Sequence, residues 1–202
     1  INEYNKNCVW VKMLYSVIDK EVKRRYESAL NEEIKESVDD TEMDIDEESI
    51  DDWSGEEIAD QLTLMEWKLF KRIPKREWFQ PMYSEERIPN ITAMMRRSEN
   101  LQKFIKHKIL KQDSVRNRSK LIKRFIRLGQ QLRDINNYQT LYGIYSALNN
   151  QSIVRLTTEW DILPEIWMNK YKEWTEIFNT NFNYRNLRRL IRNINNEQCI
   201  PF

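Results

Sequence analysis

From Gly55 onward, large apolar side chains return at steps of three and four residues, with proline or paired asparagine at the breaks. Ile58, Leu62, Met65, Leu69 and Ile73 form the clearest run, which stops before Pro74. An α-helix gathers such positions into one stripe, whereas a half-buried strand requires alternation at every second residue. Ile122, Phe125, Ile126, Leu132 and Ile135 make a broader stripe, and Gly129 within it permits close approach of a neighbour. Trp167, Tyr171, Trp174 and Phe178 supply an aromatic counterpart. Such stripes are stable only when other helices cover them. No convincing alternating strand, internal repeat or heptad array accompanies them, so the expected class is all-α, an irregular multi-helix domain.

The same reasoning sets the organisation. Residues 1–30 read as a flanking segment whose stretch 9–30 is one amphipathic helix, and residues 31–52 as an acidic linker. The main domain is expected over residues 53–202, with Ser54 as a helix cap and Ile58, Leu62, Met65, Leu69, Phe125, Leu141 and Leu187 facing the core. A helix opens near Pro89 or Asn90, another at Ser119, and another covers Tyr138 to Leu148 until Asn149-Asn150 interrupts it. Tyr184, Leu187, Leu190, Ile191 and Ile194 indicate a terminal helix, and the Trp78-Phe79 pair is expected to pack against the domain.

A formal net charge of +1 hides strong segregation. Residues 31–60 hold fifteen Asp or Glu against one Lys, and residues 96–133 hold thirteen Lys or Arg against two acids. Local fields therefore matter more than the net value. The basic residues are interleaved with helix-packing positions and accompany no nucleic-acid motif, so nucleic acid is not an expected partner. Cys8 and Cys199 form no compact ligand motif, which favours reduced thiols over a disulfide framework. His107 is the only histidine and stands beside Lys108 rather than among metal ligands. Hydrolase, transferase and metal-enzyme chemistry all lack a catalytic constellation.

Four ordered blocks then resemble the catalytic domain of Ras-type guanine-nucleotide exchange factors. Ile58-Ala59-Asp60-Gln61-Leu62-Thr63-Leu64-Met65-Glu66 is similar to the family's opening IAxQLTLxE pattern. The segment Pro89 to Leu101, PNITAMMRRSENL, resembles the part that supports the mobile second switch of the GTPase. Ile135 to Asn149 resembles the LNNFNG segment and its following helix, although Gln139-Thr140 stands where the family has Asn-Gly. Tyr184 to Leu190, leading into Cys199-Ile200-Pro201-Phe202, resembles the helix and CxPF stretch.

This resemblance implies a protein that promotes GDP release from, and GTP loading of, a Ras-like small GTPase. It points to Leu62, Glu66, Thr92, Arg96, Glu99, Asn136 and Asn137 as GTPase-binding residues. For Asn136 and Asn137 the residues themselves fit a switch contact or a helix cap equally well. No cofactor is expected to bind this chain directly, because the partner GTPase carries the GDP or GTP and the magnesium. The implied location is cytoplasmic, with indirect recruitment to the cytoplasmic face of membranes through the GTPase. In the family a helical hairpin that opens the first switch follows the CxPF stretch, so residues 53–202 are expected to be a partial catalytic domain, weak or inactive in isolation. The alternative is a noncatalytic exchanger-like scaffold that binds a GTPase or another signalling protein. Residues 1–30 fit either a remnant of an upstream exchanger module or an unrelated flanking helix.

Overall fold

Eight helices account for nearly all of the regular structure among the residues that the computed structural model describes, which are 55–80, 85–194 and 199–201. The expected helix in residues 9–30, the acidic linker and the Ser54 cap lie outside these. In chain order the helices are α1 (Gly55–Lys71), α2 (Pro89–Leu110), α3 (Val115–Asp134), α4 (Tyr138–Leu148), α5 (Gln151–Val154), α6 (Thr157–Asp161), α7 (Glu165–Ile177) and α8 (Asn181–Asn193). Two short 3₁₀ turns, Lys75–Phe79 and Glu85–Arg87, lie between α1 and α2.

The core forms where the apolar stripes of α1, α2, α3 and α4 meet. All seven residues expected to face it are buried, with Phe125 at 2% exposure and Leu141 at 0%. Gly129 in α3 sits against the fully buried indole of Trp174 in α7, and an added Cβ would come within 2.2 Å of that ring. The glycine therefore allows the largest buried side chain to reach the α3 backbone. Gly143 has a milder version of the same role, with Leu101 and Ser98 of α2 about one methyl group away.

Ionic contacts fix the outer helices. Arg118 of α3 donates to Glu159 of α6 and to the Gln112 carbonyl, and Arg133 pairs with Glu173 of α7. Tyr142, Tyr145, Tyr171, Trp160 and Phe178 form a continuous aromatic layer between α4, α6 and α7. Burial there pushes the Tyr171 hydroxyl well above the usual phenol range, with Tyr145 adding to the effect.

Three expectations need correction. The third helix begins at Val115 rather than Ser119, because the Ser114 hydroxyl accepts from the Asn117 N–H at 3.1 Å and satisfies an otherwise orphaned donor. Ser119 is instead buried inside the helix. Trp78 and Phe79 do not pack into the domain, being 54% and 86% exposed, although Trp78 touches the Phe70 ring. Their 3₁₀ turn is oriented so that Glu77, 1% exposed, points inward. Finally, only Leu187 of the terminal stripe is fully buried; Phe182, Asn183 and Tyr184 take left-handed conformations that remove Tyr184 from helical register, and Leu190, Ile191 and Ile194 are half-buried.

Candidate functional site

Helix α1 has a charge at a core position. Glu66 falls between Leu62 and Leu69 at steps of four and three, so helical geometry turns it inward with them. Arg97 does the same in α2, between Met94 and Leu101. The two meet, with Arg97 Nε donating to Glu66 Oε2 at 2.7 Å and both side chains less than a tenth exposed. Burial raises the Glu66 carboxyl above its ordinary value of 4.5, while the Arg97 charge and hydrogen bond pull it back down. This pair locks α1 to α2 at a defined register.

The start of α2 is held by a second carboxylate. Glu77 Oε2 accepts from the backbone N–H groups of Asn90 and Ile91 at 3.0 and 3.1 Å, and its other oxygen accepts from the Asn90 side chain. A helix beginning with proline has no local side-chain cap here, so Glu77 supplies the acceptor from 13 residues upstream. With its first turn capped and Arg97 anchored, α2 holds Thr92, Arg96 and Glu99, which step by four and three residues, along one side. Arg96 and Glu99 are exposed and Thr92 is half-buried. The Thr92 hydroxyl oxygen is shielded from water yet has no hydrogen-bond partner among the described residues.

The two asparagines separate. Asn137 is fully buried and caps α4, with Oδ1 accepting from the Thr140 N–H at 3.0 Å and Nδ2 donating to Thr63 Oγ1 of α1 at 2.8 Å. Asn136 is half-buried with φ of 59°, a left-handed value that asparagine tolerates better than most residues. Its carbonyl accepts from the Ile200 N–H, and the Ile200 carbonyl accepts from the Tyr138 N–H, both at 3.0 Å. Thus the Cys199-Ile200-Pro201 stretch pins the α3–α4 turn from outside.

An open groove of about 430 Å³ lies beside this turn. Asn136, Asp60, Thr63, Leu64, Trp67 and Cys199 are among its lining residues. Burial raises the Cys199 thiol above its ordinary value.

Of the seven candidate residues, Thr92, Arg96, Glu99 and Asn136 therefore reach the surface. Leu62, Glu66 and Asn137, at 2%, 3% and 0% exposure, stand inside the domain in this structure. Sequence reasoning did not single out Arg97, Glu77 or Thr63, which position the others. The available signal was a charged residue in core register, and Glu66 and Arg97 both carry it.

A family model described as RasGEF domain matches residues 57–202. The chain is 31% identical over 149 residues to cell division control protein 25 of Saccharomyces cerevisiae, covering 71% of this chain and 9% of that protein. It is 32% identical over 152 residues to Ras guanine nucleotide exchange factor E of Dictyostelium discoideum, covering 72% of this chain and 15% of the relative. With Ras guanine nucleotide exchange factor M of the same organism it shares 27% identity over 156 residues, 75% of this chain and 17% of the relative. The chain thus spans less than a fifth of the length of these relatives.

Proposed function

This chain belongs to the RasGEF domain family, and on that premise we propose that it promotes release of GDP from a Ras-like small GTPase and hence its loading with GTP. The observation that carries the reading is the α2 face bearing Thr92, Arg96 and Glu99, fixed from behind by the Glu66–Arg97 pair and at its start by Glu77. The relatives from Dictyostelium discoideum are named Ras guanine nucleotide exchange factors, which supports the choice of partner.

No covalent bond changes in this reaction. The chain acts by binding the nucleotide-free or nucleotide-loosened GTPase more tightly than the GDP-bound form. Inverting a 1:99 equilibrium to 99:1 requires about a 10⁴-fold difference in affinity between the two forms. Arg96 offers charge-assisted, directional donors for a carbonyl or carboxylate of the mobile second switch. Thr92 brings the exposed part of a half-buried side chain whose hydroxyl oxygen is itself shielded, Glu99 a carboxylate, and Asn136 a side chain at the groove mouth. Leu62, Glu66 and Asn137 serve the same surface from inside, by setting the positions of α1, α2 and the α3–α4 turn. The reading implies a cytoplasmic protein that reaches the cytoplasmic face of a membrane through the GTPase.

The decisive experiment titrates the chain against nucleotide-free and GDP-loaded forms of several Ras-like GTPases and follows release of a fluorescent GDP analogue. Tighter binding to a nucleotide-free form is expected for at least one GTPase, with at most a weak acceleration of GDP release by this chain in isolation. Equal affinity for both forms would assign the scaffold role instead. Absence of binding to any folded GTPase in the panel would overturn the proposal.

A further inference from the structure

Helix α8 contains four arginines and no carboxylate. Arg185, Arg188, Arg189 and Arg192 fall within two turns on one side of the helix, while Leu187 turns into the domain at 2% exposure. They enclose an open concavity of about 280 Å³ that, among the described residues, they alone line. Among the described residues none of the four makes an ion pair, whereas Arg97, Arg118 and Arg133 each face a glutamate. Clustered like charges repel one another, and a solvated helix face gains nothing from collecting them.

A second observation gives the cluster a direction. Phe182, 70% exposed, stands at its head, where the left-handed backbone of residues 182–184 carries it out of helical register. Two of the arginines hold it there: the Arg185 guanidinium lies 3.9 Å from the ring centroid, and Arg188 Nη2 donates to the Phe182 carbonyl at 3.0 Å. An exposed aromatic ring is thus built into a cationic face.

We propose that this face docks directly on the surface of an anionic phospholipid bilayer. Planar guanidinium groups suit the phosphate oxygens of the headgroup layer, and a phenyl ring beside them gains by entering the apolar boundary just beneath it. Clusters of this size are sufficient for reversible attachment, each arginine near the surface strengthening binding by about fivefold. Nucleic acid fits less well, since the face offers a single aromatic ring for base stacking and accompanies no nucleic-acid-binding motif. No helix among the described residues is long and apolar enough to cross a membrane, so the contact is peripheral. It requires no GTPase, so its test stands apart from that of the exchange activity.

The full chain should be sedimented with phosphatidylcholine vesicles, with and without phosphatidylserine, over a range of ionic strength. Binding is expected only with phosphatidylserine, and it should weaken as salt rises. Arg189→Ala with Arg192→Ala, both exposed and without a hydrogen bond or ion pair among the described residues, should reduce affinity about 25-fold with an unchanged circular dichroism spectrum. Phe182→Ala should weaken binding without altering its salt dependence. Equal binding to both vesicle types, or a double variant as tight as the wild type, would overturn the proposal. So would release from the vesicles by inorganic phosphate at matched phosphate concentration, which would mark a free-anion site, or a preference for single-stranded RNA over vesicles.

Discussion

Replacing Arg97 by methionine keeps much of the side-chain volume but leaves the Glu66 carboxylate buried without its cation. The two groups are 2.7 Å apart and their side chains only 9% and 4% exposed, so solvent cannot take over the role of the guanidinium. Breaking a buried pair in this way typically costs about 3–5 kcal/mol. For a domain of this size that corresponds to a fall in melting temperature of roughly 6–20 °C. Urea unfolding followed by fluorescence is a suitable assay, because Trp174 is fully buried and reports on the core.

The pH dependence provides an independent check. Burial, the larger influence on Glu66, raises its carboxyl above 4.5, and Arg97 opposes that rise. Without Arg97 only the upward push remains, so the native state holds the proton to a higher pH than the unfolded chain does. A raised folded value contributes stability that is complete below the unfolded value and lost as pH climbs through the folded one. The deficit of Arg97→Met relative to wild type at each pH should therefore be smallest under acidic conditions and grow to a plateau as pH rises. Glu66→Leu combined with Arg97→Met removes both charges and should recover most of the loss, or exceed wild-type stability by about 1–4 kcal/mol. A single variant within about 1 kcal/mol of wild type at every pH would refute the reasoning, given the size of penalty expected for an uncompensated buried charge. So would a double variant no more stable than the single one.

Gly129→Ala should destabilise the domain by about 1–2 kcal/mol in chemical denaturation, since overpacking against the Trp174 ring outweighs the gain of up to ~1 kcal/mol in helix propensity. Asn137→Ala removes a helix cap and leaves the Thr63 hydroxyl without its donor, and thermal melts should show a loss of about 1–3 kcal/mol. Arg96→Ala should leave the melting temperature essentially unchanged, because the residue is exposed. Its affinity for nucleotide-free GTPase should fall about 5- to 150-fold by calorimetry, as expected for about 1–3 kcal/mol.

Helices were legible where apolar period and local caps agreed. The span Tyr138 to Leu148 was set at both ends by asparagines that do cap or interrupt it. The start of α3 was misplaced by four residues because two serines compete as caps, and what decides between them is that Ser119 lies in the buried register of the helix. The Trp78-Phe79 pair was not legible at all. Its exposure follows from Glu77 reaching the α2 N-terminus, a bond to a residue 13 positions later that no local pattern encodes. Glu66 looked like a partner-facing acid because resemblance names a position but not the direction of its side chain. Its place between Leu62 and Leu69 already gave that direction.

The same geometry explains why a surface of modest chemistry suits the proposed exchange reaction. Thr92, Arg96 and Glu99 are ordinary residues, and any flexible helix could present them. A flexible helix, however, would adjust to both forms of the GTPase, and an adaptable surface erases the difference in affinity on which exchange depends. Here α1 prevents that adjustment. Its Glu66 fixes α2 through Arg97, and one turn earlier its Thr63 takes the Asn137 hydrogen bond that fixes the α3–α4 turn beside Asn136. The buried face of one helix thereby sets both the α2 face and the groove, while Glu77 prevents the first turn of α2 from fraying. Loosening α1 should therefore weaken discrimination between the two GTPase forms before it abolishes binding.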